Sequence, residues 1–259
     1  MPDFLDKLAG DAKATVDSGY YEVAIQTVMS RNSLKKAILK SARAPLITEI
    51  KAASPSKGTI RTGFEAGKIA QAMERGGAVG ISVLTEPKHF KGSLGSLVET
   101  RRAVQLPVLM KDIIISSKQL EAASKAGTSA VLLIQALFDR GYCKYSVEEM
   151  IAEAHSKNLE VLLETHSREE FRFAVHTDAD LVGINNRNLG TLKVDLNVTK
   201  NTMENVETNG KIVVSESGIE SPTDIRFLCE CGANAFLVGS AVMLANDVEK
   251  KVRELVTAV

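Results

Sequence analysis

Opposite charges stand at the end of a short apolar run near residue 50. The run Leu46–Ile50 is apolar enough to form a buried strand, yet Glu49 and Lys51 interrupt it at its carboxyl end. Residues two apart in a strand point to the same face, so both side chains project together. A buried ion pair seldom stabilises a fold better than apolar residues of similar volume. The pair therefore indicates either a structural salt bridge or part of a functional site, and the other strands must decide.

Four further apolar runs also end in charged or polar residues. These residues are Lys111 and Asp112, Glu164, Asn185 and Arg187, and Glu216 with Ser217. One such end can simply mark a strand reaching water, but five ends among eight runs are harder to dismiss. Cations and carboxylates in near balance suit proton transfer better than anion capture. Apolar walls and like charges would lower the pKa of a lysine there and raise that of a carboxylate, which favours general acid–base catalysis.

Glycine and serine follow the last two apolar runs and indicate a second kind of chemistry. Ser217-Gly218 follows the seventh run, and Gly239-Ser240 follows the eighth. Glycines let backbone N–H groups approach phosphate oxygens, and a helix N-terminus favours an anion. A single Gly-Ser pair is often only a helix cap. Because both runs end this way, the pattern favours a phosphate site.

Eight short apolar runs alternate with helical patterns and must position these residues. The runs are Leu46–Ile50, Val79–Leu84, Val108–Met110, Ala130–Ile134, Glu160–Leu163, Leu181–Ile184, Ile212–Val214 and Ala235–Val238. Alternation of strands and helices predicts a parallel sheet in an α/β protein. Eight such units predict a (β/α)₈ TIM barrel, whose chemistry lies at the carboxyl ends of its strands and whose phosphate sites often follow strands 7 and 8. A doubly wound open sheet is the alternative, but no Gly-x-Gly-x-x-Gly follows the first run.

We expect a single domain over residues 1–259, with a helical extension over 1–42 and the barrel over 43–259. The extension reads as helical over residues 3–41, carries no obvious chemistry and is expected to cover one end of the core. Two loops, 54–58 and 85–93, are long enough to be lids over the barrel or plain surface loops. None of the four histidines has a visible nucleophile partner, so no catalytic triad is expected.

Composition excludes several classes of function. Lys plus Arg equals Asp plus Glu at 32 each, so no overall charge favours nucleic acid or an anionic membrane. The three cysteines form neither a disulfide framework nor a metal-ligand pattern. No apolar run approaches the roughly 18 residues of a membrane span, and the first residues lack the basic start and apolar core expected of a signal peptide. We therefore expect a cytoplasmic protein without a metal.

Several stretches taken in order along residues 43–244 resemble the indole-3-glycerol-phosphate synthase family. They are Glu49-Ile50-Lys51, Ser54-Pro55-Ser56, Leu84-Thr85-Glu86, Phe90 with Gly92-Ser93, Leu109-Met110-Lys111-Asp112, Leu163-Glu164, Gly183 to Leu189, Ser215 to Ile219, and Ala235 to Ser240. The chain departs from the family at Ile113, where Phe is common, and at Pro87 and His89, where Glu and Tyr are frequent. These differences could alter the aromatic pocket or the motion of the second loop.

The resemblance implies closure of the indole ring of 1-(2-carboxyphenylamino)-1-deoxyribulose 5-phosphate, with loss of carbon dioxide and water, in tryptophan biosynthesis. It implies a small phosphorylated substrate, no cofactor, no nucleic-acid or membrane partner, and we expect a monomer. Lys111 would be the general acid at the ketose carbonyl, and Glu164 would transfer a proton or stabilise the cationic intermediate. Lys51, paired with Glu49, would assist decarboxylation or dehydration.

The remaining site residues would bind the substrate or orient the acid and base. Asn185 and Ser217 would hold hydroxyls or the catalytic pair, and Arg187 would face the substrate carboxylate. Phe90 could supply an apolar wall for the aromatic ring. The other substrate-binding residues implied are Ser54, Glu216, Gly218, Leu237, Gly239 and Ser240.

Two other functions remain open at the level of sequence. A Schiff-base aldolase acting on a sugar phosphate would use Lys111 or Lys51 as its nucleophile. A phosphate-binding barrel without catalysis would be expected to lack members of the charged set, and none is missing.

Overall fold

The computed structural model describes residues 3–22, 24, 32–54 and 58–259, and within them eight parallel strands close into a barrel. The strands are β1 Leu46–Ile50, β2 Gly80–Leu84, β3 Val108–Lys111, β4 Ala130–Ile134, β5 Glu160–Thr165, β6 Leu181–Asn185, β7 Ile212–Glu216 and β8 Ala235–Val238. Each strand pairs with the next along the chain, and β1 pairs with β8 through Ile47 and Leu237. The predicted TIM barrel is confirmed, and the open-sheet alternative is wrong.

In the described part of the chain, helices lie between the strands, and the first two helices precede β1. The helices are α1 Phe4–Asp17, α2 Leu34–Lys40, α3 Ala66–Gly76, α4 Leu94–Ala103, α5 Ser117–Lys125, α6 Gln135–Asp139, α7 Val147–Ser156, α8 Arg168–Ala174, α9 Asn197–Met203, α10 Pro222–Glu230, α11 Ser240–Met243 and α12 Val248–Val256. Serine N-caps begin five of the helices that follow strands: Ser93, Ser116, Ser146, Ser167 and Ser221. A side-chain oxygen there satisfies a helix N–H that has no partner within the helix.

Alternation along each strand divides the apolar residues into two layers. Leu46 and Met110 belong to the larger cluster between the strands and the surrounding helices. Ile47 and Leu109 belong to a second cluster inside the barrel. In a strand, each interior residue shares its face with the residue two positions later. The strands that fill the barrel therefore also direct side chains into its mouth.

The N-terminal extension contacts both ends of the barrel, whereas the sequence predicted cover at one end only. At the amino end, Glu160 at the start of β5 accepts hydrogen bonds from the N–H groups of Leu34 (2.6 Å) and Lys35 (3.2 Å) at the start of α2. At the carboxyl end, Phe4 and Leu8 of α1 line the central cavity. The predicted helix over 3–41 also included residues 23 and 25–31, which lie outside the described residues.

Candidate active site

A cavity of about 400 Å³ opens at the carboxyl ends of the strands, and it brings all the predicted site residues together. They are Glu49, Lys51, Ser54, Phe90, Lys111, Glu164, Asn185, Arg187, Glu216, Ser217, Gly218, Leu237, Gly239 and Ser240. These residues come from six different strands, from the loops that follow them and, for Phe90, from the loop after β2. A cavity of this size suits a small organic ligand.

Lys111, the last residue of β3, lies between two buried carboxylates. Its Nζ is 3.2 Å from Oε2 of Glu164 on β5 and 3.6 Å from Oε2 of Glu216 on β7. Burial by itself lowers the pKa of Lys111, but the two carboxylates, with Glu49 beyond them, outweigh burial and raise it above its ordinary value. The expected lowering of the lysine pKa was therefore wrong. Lys111 is a charged ammonium that can donate a proton.

Glu164 and Glu216 share this lysine but have pKa values moved in opposite directions. Burial, together with the negative charges of Glu164 and Glu49, raises the pKa of Glu216 to about 8, and the nearby Lys111 offsets only part of this rise. Neither oxygen of Glu216 accepts a hydrogen bond from the described residues. Burial also acts on Glu164, but Lys111, His166 and Asn185 hold its pKa well below the ordinary value. Glu164 is therefore the stronger acid of the pair and Glu216 the weaker one. The expected raised carboxylate pKa is confirmed for Glu216 and wrong for Glu164.

The Glu49–Lys51 pair lies beside this group and faces the cavity. Lys51 Nζ is 2.6 Å from Glu49 Oε1, and Glu49 is only 4% exposed. Gly239, just after β8, leaves the space that the pair occupies, because a Cβ there would collide with the Glu49 carboxylate and lie 2.8 Å from Lys51 Nζ. The pair therefore lines the cavity together with Lys111 and Glu164.

Two residues near the carboxylates were missed by the sequence analysis. Gly183, in the middle of β6, has no side chain to collide with the Glu216 carboxylate. A glycine inside an apolar strand is the signal that could have identified it.

His166, for which no catalytic partner was expected, places Nε2 3.2 Å from Glu164 Oε1, in an ion-pair contact not aligned as a hydrogen bond. Burial lowers the pKa of His166, but Glu164 and Glu170 raise it to about 9.

The region around β7 and β8 has the backbone geometry expected of an anion site. Ser217 and Gly218 both have positive φ angles, 67° and 86°, so the chain turns sharply beneath the cavity. Ser240 is the first residue of the short helix α11, as expected for a barrel phosphate site. Successive N–H groups in such a turn, together with a helix N-terminus, form a concave surface that favours an anion.

Arg187 and Asn185 are held together at the end of β6. The Asn185 side-chain oxygen accepts a hydrogen bond from the N–H of Arg187 (3.0 Å), and Arg187 Nη1 donates to the carbonyl of Leu192 (3.1 Å). Burial lowers the pKa of Arg187 from its ordinary value, although Glu49 opposes the change. The guanidinium thus lines the cavity from a fixed position.

The loops that could have been lids are only partly described. Ala53–Ser54 and Gly58–Thr59 form a short antiparallel ribbon, and Pro55, Ser56 and Lys57 of the first loop lie outside the described residues. In the second loop, Phe90 lines the cavity. Ile113, one of the three departures from the family pattern, also lines it.

The extension reaches the rim of the site through a buried carboxylate next to Lys111. Asp112 accepts hydrogen bonds from the hydroxyl of Tyr21 (2.9 Å), from the hydroxyl of Thr85 and from the N–H of Ile113 (2.7 Å). Burial raises the pKa of Asp112 to about 6 in spite of these bonds. Tyr21 therefore joins the extension to the residue that follows Lys111 at the rim of the cavity.

Searches for other kinds of site gave negative results within the described residues. No group of three or more His, Cys, Asp or Glu side chains could hold a metal ion there. No helix of the described part is long and apolar enough to cross a membrane.

Comparison with known proteins gives one consistent relationship. A sequence model of the family described as indole-3-glycerol phosphate synthase matches residues 6–255. An indole-3-glycerol phosphate synthase of Methanocaldococcus jannaschii is 42% identical over 226 residues, 86% of this chain and 81% of the relative. One from Geobacillus sp. is 39% identical over 254 residues, 97% of this chain and 96% of the relative.

A solved structure supports the fold at lower sequence similarity. The N-acetylmannosamine-6-phosphate 2-epimerase from Clostridium perfringens has a TM-score of 0.61 at 16% identity, covering 83% of this chain and 93% of its own. That likeness concerns the fold alone. The family match over nearly the whole length, with close relatives of similar size, shows that this chain belongs to the indole-3-glycerol phosphate synthase family.

Proposed function

We propose that this cavity closes the indole ring of 1-(2-carboxyphenylamino)-1-deoxyribulose 5-phosphate, with Lys111 as the proton donor. Membership of the family makes the chain a decarboxylating carbon–carbon lyase of tryptophan biosynthesis that acts on a small phosphorylated substrate. The roles of the individual residues are those that the family resemblance implies, and their positions and charges support them.

The observation that supports Lys111 as the acid is its place between Glu164 and Glu216. As the aromatic ring carbon attacks the ketose carbonyl, negative charge develops on the carbonyl oxygen. An ammonium held charged at that point stabilises the oxygen and then gives it a proton. The same raised pKa disfavours Lys111 as the free amine of a Schiff-base aldolase.

Glu164 is the proposed proton acceptor or counter-charge for the cationic intermediate. It is ionised at neutral pH, 2% exposed and 3.2 Å from Lys111, so proton donor and proton acceptor lie side by side. Glu216, the weaker acid, would when protonated donate a hydrogen bond to a substrate hydroxyl. Asn185 and Ser217 would hold the remaining hydroxyls or fix the catalytic pair.

The other cations would bind the substrate's two acidic groups. Arg187 would face the carboxylate on the aromatic ring, and Lys51 with Glu49 would assist its loss or the later dehydration. The phosphate would lie against Ser54, Gly218, Gly239 and Ser240. Phe90 and Leu237 would line the cavity beside the aromatic ring and the ribulose chain.

The function is tested by adding the anilino-deoxyribulose phosphate to the purified protein. Indole fluorescence should appear together with one equivalent of carbon dioxide. Borohydride added during turnover should leave no reduced lysine adduct. A trapped adduct with a ketose phosphate, and no indole product, would instead support an aldolase.

We also propose that the protein acts in the cytoplasm as a monomer. Its cysteines are free in the described structure, as suits a reducing compartment, and a single chain supplies every residue placed around the cavity. Sedimentation at micromolar concentration should give one species of about 28 kDa, and a dimer would contradict the monomer.

A further inference from the structure

Glu86 lies just beyond β2, at the rim of the cavity, and has no role in the reaction proposed above. It is 2% exposed although it belongs to a loop. Its carboxylate is turned back onto its own chain. Oε1 accepts the N–H of Lys88 (2.9 Å), and Oε2 accepts those of His89 (2.7 Å) and Phe90 (3.0 Å).

These three hydrogen bonds bend the loop around a single carboxylate. A carboxylate offers about four lone-pair sites, so most of its capacity is committed to the backbone. Hydrogen bonds to an ionised acceptor are also about twice as strong as neutral ones. Glu86 therefore holds the loop and is poorly placed to transfer protons to a ligand.

The bent loop is also held by a backbone hydrogen bond within itself and by one to the loop after β1. The N–H of Gly92 donates to the carbonyl of Glu86 (2.8 Å), and a Cβ at Gly92 would collide with the backbone of Leu84. The carbonyl of Phe90 accepts the N–H of Ala53 (3.2 Å), in the loop after β1. The backbone of Phe90 is thereby fixed at both its N–H and its carbonyl.

Glu86 and Phe90 are the residues of this loop that line the cavity, and Phe90 supplies its apolar surface. Phe90 packs partly buried against the interior cluster that includes Ile113. A phenyl ring on a fixed backbone gives an aromatic substrate a defined surface, and small displacements of such a surface can cost a large part of the rate.

We propose that Glu86 is a positioning residue that fixes Phe90 against the aromatic ring of the substrate. The inference rests on the proposed function, in which Phe90 lies beside that ring. Because its carboxylate is bonded to the N–H groups of Lys88, His89 and Phe90, Glu86 acts through the backbone of residues 88–90. It should therefore affect recognition of the aromatic part of the substrate and leave the phosphate part alone.

A double-mutant cycle tests whether Glu86 acts through Phe90. Glu86→Gln keeps the size of the side chain but turns an NH₂ group toward the backbone N–H donors. It should lower kcat/KM by about tenfold in the otherwise unchanged protein, since a misplaced contact group costs up to about a hundredfold. In the Phe90→Ala background the same change should cost less than about twofold, because the two effects share one cause.

A ligand without the aromatic ring distinguishes the proposed role from a purely structural one, because a structural defect would weaken the binding of both ligands. The inhibition constant of 1-deoxyribulose 5-phosphate should stay within about twofold of wild type in Glu86→Gln, and rise in Ser240→Ala. Glu160→Ala is the matched control, because Glu160 also binds backbone N–H groups but at the opposite end of the barrel. It should lower the melting temperature and leave KM unchanged.

Three results would overturn the proposal. Equal losses from Glu86→Gln in both backgrounds would mean that Glu86 does not act through Phe90. A weaker inhibition by 1-deoxyribulose 5-phosphate would mean that the whole site had moved, and loss of the folded state would mean that Glu86 supports the barrel. A wild-type protein that makes no indole product would instead reject the proposed function.

Discussion

Replacing Glu216 by Gln should remove a strong pH dependence of stability. Glu216 is 1% exposed, makes no hydrogen bond to the described residues and has its pKa raised from 4.5 to about 8 by burial and by the neighbouring Glu164. A carboxyl group with a raised pKa in the folded state stabilises the protein fully below the unfolded-state pKa. That stabilisation is lost as pH rises toward 8, because the folded state must then give up a proton that it holds tightly.

The size of the effect follows from the two pKa values. Raising the pKa of one buried carboxyl from 4.5 to about 8 corresponds to about 5 kcal/mol in total. Integrating the proton linkage between pH 5 and pH 8 gives a loss of about 3–4 kcal/mol that is specific to this residue. Gln has the same shape and no proton to lose. Asp112 and His166, whose pKa values are also raised, are present in both proteins and cancel in the comparison.

Urea unfolding of wild type and Glu216→Gln at pH 5, 6, 7 and 8 measures this difference. At a slope of about 3 kcal/mol per molar urea, the midpoints should separate by a further ~1 M between pH 5 and pH 8, with the variant gaining relative to wild type. A difference in the free energy of unfolding that is the same at all four pH values would show that Glu216 ionises normally in the folded protein.

Three further substitutions test other parts of the site. Ser240→Ala should raise KM about tenfold and change kcat little, because a phosphate contact binds substrate and transition state alike; a loss confined to kcat would contradict this. Gly239→Ala should lower kcat/KM at least about tenfold with an unchanged circular dichroism spectrum, because the new Cβ displaces the Glu49 carboxylate. His166→Asn should move the acid limb of the kcat/KM profile to higher pH by about one unit, because it removes a cation beside Glu164; an unmoved limb would show that the histidine has only a packing role.

The barrel was predictable because its signal is local and repeated. Each strand is a short apolar run, and parallel strands in a barrel bring their carboxyl ends to one face. The predicted ends were nevertheless too early in places. The sequence ended the fifth and seventh runs at Leu163 and Val214, but β5 continues through Thr165 and β7 through Glu216. Glu164 and Glu216 remain in the strand ladder, paired with Gly183 and Asn185, and their carboxyl groups face the cavity and not bulk water.

The signs of the pKa shifts could not be predicted, because they depend on distances between strands far apart in sequence. Charge balance around the ring does not reveal that Lys111 lies within 3.6 Å of two carboxylates. Nor does it reveal that His166 and Asn185 also contact Glu164, whereas neither oxygen of Glu216 accepts a hydrogen bond from the described residues. Those contacts raise the pKa of Lys111 and lower that of Glu164, opposite to the expected directions. The pKa of Glu216 is raised, as expected.

The path of the N-terminal extension was equally hidden. Helical periodicity indicates that a segment is amphipathic, but not which surface it covers. The contacts that fix the extension join residues about 90 to 130 positions apart: Tyr21 with Asp112, and Leu34 with Glu160. Neither pair has a spacing that a reader of the sequence could recognise.

The rate of ring closure in a single turnover, compared between wild type and Lys111→Ala, tests whether the lysine between Glu164 and Glu216 is the acid. With enzyme in excess over the anilino-deoxyribulose phosphate, the variant should form indole product at least about a hundredfold more slowly, as expected for loss of a positioned general acid. Its circular dichroism spectrum and melting curve should still show a folded barrel. A folded variant that closes the ring at nearly the wild-type rate would show that the proton comes from another group.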